Sequence, residues 1–224
     1  MLSAGTGAPE LHPCSSAAAR VSNAAGRIRR AAFLTLAVAL LQGCSSGAPV
    51  PADNMQPPPG HGPYTGTVAD WPLWFIEHNF GAYCFSTLRC VVEYARFAHG
   101  GDSPRPSIES MADPLEKILR AGWGPYRNFP APAQVSWTSS DGTRLETRVD
   151  IAEILADRMI RHTAARKDIK EDTSIPPPGV ILVVDDRVIT IYMRTWIALK
   201  EPRDPANPHS DLHTGLVLVH SKAY

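Results

Sequence analysis

The chain has 224 residues, with 22 Lys and Arg balanced by 22 Asp and Glu. This is enough for one ordinary domain plus a leader and a linker. A hydrophobic share of 44% excludes a wholly disordered chain, and the absence of a basic surplus argues against a nucleic-acid binder.

Arg27, Arg29 and Arg30 precede an apolar run from Ala31 to Leu41. That run is too short to span a bilayer, which needs about 20 residues. A basic stretch followed by a short apolar one reads as a secretory signal. It ends in Leu41-Gln42-Gly43-Cys44, followed by Ser45-Ser46-Gly47, which resembles a bacterial lipobox. The resemblance implies cleavage before Cys44 and acylation of that cysteine, and two or three acyl chains make anchoring effectively permanent. Ser45 stands where proteins retained at the inner membrane usually carry Asp, which implies the periplasmic face of the outer membrane. Residues 1–43 are thus a signal peptide, although residues 1–20 are long for one and Val21 is an alternative start. Their removal leaves 18 basic against 21 acidic residues, a net charge of −3.

Residues 44–66 comprise the lipidated cysteine and a tether, since six Pro and four Gly between Ser45 and Gly66 cannot build a core. Residues 67–224 form the folded domain. Trp71 to Ile76 reads as a strand closed by Glu77 to Gly81, and Cys90 to Phe97 as a second. Residues 98–107 read as a loop. Asp113-Pro114-Leu115-Glu116 opens a helix that Gly122 stops. Val135 to Val149 alternates around Ser140-Asp141-Gly142 as a hairpin. Asp150 to Glu153 opens a second helix, with Ile151, Ile154, Leu155 and Met159 on one face. Residues 164–179 are a charged and Pro-rich loop. Val180–Val184 and Val188–Ile197 are the strongest strands, and they turn at Asp185-Asp186. A loop over 201–213 precedes a last strand from Gly215 to Val219. The order ββ-α-ββ-α-βββ predicts an α+β fold, a mainly antiparallel sheet with two short helices.

Cys84 and Cys90 are an even pair in an oxidising compartment and read first as a disulfide, with free thiols as the other reading. His209, Asp211 and His213 share one face if their segment is extended, and are the weak metal candidates. A Pro-rich loop collects such polar residues without any ligand. Glu77-His78 is a candidate acid/base pair. Trp71, Trp74, Trp137 and Trp196 fall on predicted strands and are expected to pack in the core. The sequence carries no nucleophile elbow, H-E-x-x-H, P-loop or dinucleotide fingerprint. No catalytic residue and no cofactor are therefore expected.

The segments Phe75 to Cys84 and Asp186 to Met193 resemble uncharacterised proteobacterial lipoproteins associated with type VI secretion, of the kind that confer immunity to phospholipase effectors. The resemblance implies a lipid-anchored periplasmic protein that binds a secreted toxin of the lipase kind and is not an enzyme. The alternative is a structural or assembly lipoprotein of the outer membrane. The loops 98–107 and 201–213 are the expected interface. Cys44→Ser is expected to leave an uncleaved precursor without acyl chains, which mass spectrometry of membrane and soluble fractions reads directly.

Overall fold

Val180 to Val184 is apolar without interruption, and such a strand needs cover on both faces. The computed structural model describes residues 56–224, so Cys44 and residues 1–55 lie outside the described part. Within it, β1 (Glu77–Phe85), β2 (Thr87–Tyr94) and β3 (Phe97–Gly101) come first. The one-turn helix α1 (Leu115–Ile118) and β4 (Trp123–Arg127) follow, then β5 (Ala133–Ser139) and β6 (Arg144–Val149). The one-turn helix α2 (Ile151–Ile154) leads to β7 (Gly179–Asp185), β8 (Val188–Arg194), β9 (Ile197–Ala198), β10 (Leu212–His213) and β11 (Leu216–Ala223).

The strands form a five-stranded sheet in the order β11-β8-β7-β1-β4, a four-stranded sheet in the order β3-β2-β5-β6, and the small pair β10-β9. All pairs are antiparallel except β1 with β7, which run parallel from Asn79–Gly179 to Phe85–Asp185. The fold is therefore mainly antiparallel β-sheet, with two short helices.

Alternation along the strands places the two layers. Phe80 on β1, Val180, Leu182 and Val184 on β7, and Ile189, Ile191 and Met193 on β8 join one buried cluster. The same cluster takes Cys90, Val92 and Tyr94 from β2 and Val135 and Trp137 from β5, so it is the core between the sheets. The intervening residues Phe85, Ile181 and Val183 form a second cluster with Leu119, flanked by Ile108, Met111 and Leu115. The segment before β4 thus covers the outer face of β7. Its backbone lies so close that a Cβ at Gly81 would stand 2.1 Å from the Arg120 carbonyl oxygen, and one at Gly179 would stand 2.7 Å from the Ala121 Cβ. Only glycine fits either place.

Several elements depart from the sequence expectation. Residues 71–76 are not a strand. Leu73, Trp74 and Phe75 are all buried in succession, at 1%, 2% and 0% exposure, which a pleated strand with one covered face does not allow. They are held instead by Phe75 N–H to the Arg158 carbonyl (3.1 Å) and Ile160 N–H to the Leu73 carbonyl (2.8 Å). Glu77 to Gly81 opens β1 rather than closing a strand. Of the four tryptophans placed on strands, only Trp137 lies on one.

β3 occupies the first part of the expected 98–107 loop, because Ala95 and Arg96 both take positive φ (50° and 72°) and close a two-residue turn. Pro114, in extended conformation, takes the cap position expected of Asp113. Asp150 does cap α2, accepting from the Ala152 and Glu153 amides at 2.9 and 3.2 Å. That helix ends after one turn, and Met159 bridges to Trp74 instead of extending its face. β8 stops at Arg194, β11 runs on to Ala223, and β4 is an edge strand that the sequence reading passed over.

Residues 56–66, the second half of the expected tether, lie along the domain. Pro58 is buried, and Tyr64 packs edge-on to Trp74 with ring centres 5.0 Å apart. The Asp70 carboxylate accepts from the Thr65 and Gly66 amides at 3.0 and 2.7 Å.

Cys84 and Cys90 are joined as a disulfide, with Cα atoms 6.2 Å apart. Because Cys84 is on β1 and Cys90 on β2, the bond ties one sheet to the other across the chain's crossing at Phe85–Thr87. Closing so short a loop contributes about 2 kcal/mol through the unfolded chain's entropy. Replacing both cysteines by Ala is expected to lower unfolding free energy by about that amount in urea titration. An unchanged midpoint refutes this role.

Candidate binding surface

Glu77 and His78 are neighbours on β1 and therefore point to opposite faces. They form no acid/base pair. His78 is fully buried, and its ring is surrounded by Phe75, Tyr94, Tyr126 and Phe129. Nδ1 lies 2.8 Å from Asn128 Oδ1, and Nε2 lies 2.9 Å from the Tyr94 hydroxyl. An amide oxygen only accepts, so Nδ1 carries the proton and donates to Asn128. Nε2 then accepts from Tyr94 O–H, while Asn128 Nδ2 donates to the Phe75 carbonyl at 3.0 Å. One neutral tautomer satisfies every polar atom of the ring. Burial lowers the imidazole pKa to about 4, only partly opposed by the Asn128 bond. Burial also pushes the Tyr94 phenol well above its ordinary value. This is a closed structural network that fastens β1, β2 and the residue after β4.

His209, Asp211 and His213 do not converge. His213 is buried on β10, with Nε2 3.4 Å from Thr163 Oγ1, whereas His209 and Asp211 are exposed. Only Leu212–His213 is extended into a strand, so the shared face expected of positions i, i+2 and i+4 is never built. Among the described residues no three His, Cys, Asp or Glu side chains gather as a metal ion requires. The loop before β10 turns inward on itself, with Ser210 Oγ donating to the Asp204 and Asn207 carbonyls at 3.1 and 2.8 Å. Asp185-Asp186 lies at the β7–β8 turn, as the sequence suggests, and Asp186 ties that turn to the β5–β6 hairpin. Its carboxylate accepts from Ser140 N–H and O–H, both at 2.8 Å, and its carbonyl accepts from Trp137 Nε1 at 2.7 Å.

The surface best suited to a partner lies elsewhere, at one edge of the sandwich. Phe97 on β3 and Trp123 on β4 are 48% and 51% exposed, and their rings stack 5.5 Å apart although they belong to different sheets. His99 packs edge-on to the same indole at 5.6 Å. Phe97 also forms one wall of an open cleft of about 740 Å³, lined further by Tyr94, Arg96, Pro130, Pro132 and Gln134. Exposed aromatics beside Arg are the residue types that dominate protein interfaces. By contrast, the depression on the outer face of the four-stranded sheet, lined by Arg89, Thr138, Arg144 and Glu146 among others, carries both signs of charge and reads as a solvated face. Sequence reasoning missed Trp123, and its expected interface loops meet this surface only where β3 begins. No family model, curated protein or solved structure matches the chain.

The depressed pKa of His78 has a stability consequence. The unfolded histidine titrates near 6.5 and the native one near 4, so between those values the unfolded chain binds more protons. Stability is full above about pH 6.5 and falls as the pH drops through this window, by about 3 kcal/mol at most. His78→Gln is expected to flatten the dependence between pH 7 and pH 4 in urea titrations. An unchanged slope shows that other groups carry it.

Proposed function

We propose that this chain is a lipid-anchored periplasmic protein that binds and neutralises a delivered toxin, of the lipase kind associated with type VI secretion. The address rests on Leu41-Gln42-Gly43-Cys44, and the toxin class on the resemblance around Phe75 to Cys84 and Asp186 to Met193. The observation that favours binding is the stacked, half-exposed Phe97–Trp123 pair beside its apolar cleft. An inhibitor of this kind needs no chemistry of its own. It needs a rigid, complementary face in the compartment where the toxin arrives, and a sandwich with its two layers tied by a disulfide holds these aromatics with little freedom to lose on docking.

The test pairs the chain with the toxin encoded beside it. Cells exporting that toxin are expected to die without the protein and to survive with it. Phe97→Ala and Trp123→Ala together are expected to weaken the complex by about 30-fold or more, the effect of losing about 2 kcal/mol at an interface centre. Calorimetric titration measures this. Failure of the wild-type chain both to rescue and to bind at micromolar concentration overturns the reading. Rescue with undiminished affinity in the double variant keeps the function and moves the interface.

A further inference from the structure

We propose that the face carrying residues 56–74 and the segment after α2 rests on the lipid headgroups, with Trp71 seated at the bilayer interface and Arg158, over Trp74 on the same face, as a partner for lipid phosphate. This rests on attachment at Cys44. The described domain begins at Gln56. Gln56 is held there by its carbonyl, which accepts from Arg158 Nη2 at 2.5 Å. The next residues stay on the same face: His61 Nε2 is 2.8 Å from the Pro72 carbonyl oxygen, and both His61 and Tyr64 pack edge-on to Trp74.

Gln56 is twelve chain steps from Cys44, with the eleven residues 45–55 between them. Even fully extended those twelve steps reach about 40 Å, no more than the diameter of a folded body of this length, also about 40 Å. A chain attached at Cys44 therefore keeps this face turned towards the membrane more readily than any other.

The side chains around that point suit a headgroup layer. Trp71 is 36% exposed, packs edge-on to His162 with ring centres 5.4 Å apart, and lies under the Arg166 guanidinium at 5.8 Å. Tryptophan with an apolar body and one polar N–H is the side chain most at home at a membrane–water interface. Of the nearby arginines, Arg161 is paired with Asp157 at 2.7 Å and Arg166 with Glu171 at 2.7 Å. Arg158 lies over the Trp74 ring at 5.4 Å and has no carboxylate partner among the described residues. With a net charge of −3 after signal removal, the protein as a whole is not drawn to an anionic leaflet. Contact must come from a local patch, and a weak patch is sufficient because attachment already makes the encounter intramolecular.

The experiment separates this geometry from the question of natural lipidation. Chain 44–224 is coupled through the Cys44 thiol to a maleimide lipid; Cys84 and Cys90 are held in their disulfide, so Cys44 is the free thiol. The vesicles are phosphatidylethanolamine and phosphatidylglycerol at about 3:1, with or without brominated acyl chains. Tryptophan emission is expected to be quenched by the brominated vesicles, the quenching to vanish in Trp71→Phe and to persist in Trp123→Phe. In the wild-type chain, amide exchange over residues 61–76 is expected to slow on coupling. Absence of quenching, quenching that survives Trp71→Phe, or unchanged exchange over 61–76 each overturns the proposal. Because the coupling is chemical, these outcomes do not depend on whether cells acylate Cys44, which the mass of the native protein decides separately.

Discussion

Everything in this fold follows from burying β7 on both sides. A strand reading Val-Ile-Leu-Val-Val has no face to give to water, so its sheet needs the four-stranded layer on one side and a lid of chain on the other. The first demand brings β2 and β5 across from β7 and makes a sandwich. The second fixes the course of residues 108–121, whose apolar side chains meet Ile181 and Val183 while the backbone crosses at Gly81 and Gly179. Arg194 completes this lid: almost fully buried, it donates Nη2 to the Glu116 carbonyl in α1.

The same packing builds the surface features. The lid delivers the chain to Trp123, so the position of the exposed indole on β4 is set by how residues 119–121 lie against β1. The buried His78 network then fixes the far end of β4 through Asn128, and Tyr94 carries that fixation into the four-stranded sheet. Phe97 and Trp123 meet across two sheets because both edges are held to the same interior histidine.

What the sequence discloses follows the range of the interactions involved. The hairpin through Asp141-Gly142 and the pair β7–β8 are legible because alternation, apolar runs and a turn residue lie within a few positions of one another. So is the disulfide, since an even pair six positions apart suffices to suggest it once the lipobox resemblance implies an oxidising compartment. The turn at Ala95-Arg96 is not, because neither residue announces a positive φ. The run 71–76 misleads, since its aromatics are buried one after another by segments from 56–64 and 158–160 that lie far off or look like linker. The cleft is least legible of all: Tyr94 to Phe97 and Pro130 to Gln134 become neighbours only through tertiary packing, and no local pattern marks Trp123 as their companion.

The hairpin tip at Ala95-Arg96 carries a further consequence. Two consecutive side-chain-bearing residues in the left-handed region cost on the order of 1 kcal/mol each relative to glycine. A sequence shaped for durability alone would place Asn-Gly here. Instead the tip keeps an alanine and an arginine that both border the cleft. The chain therefore holds an unused reserve of thermal robustness at this tip, and drawing on it would erase part of the contour of the cleft. Variants selected only for heat resistance would drift towards glycine at these two positions and reshape the cleft without losing the fold.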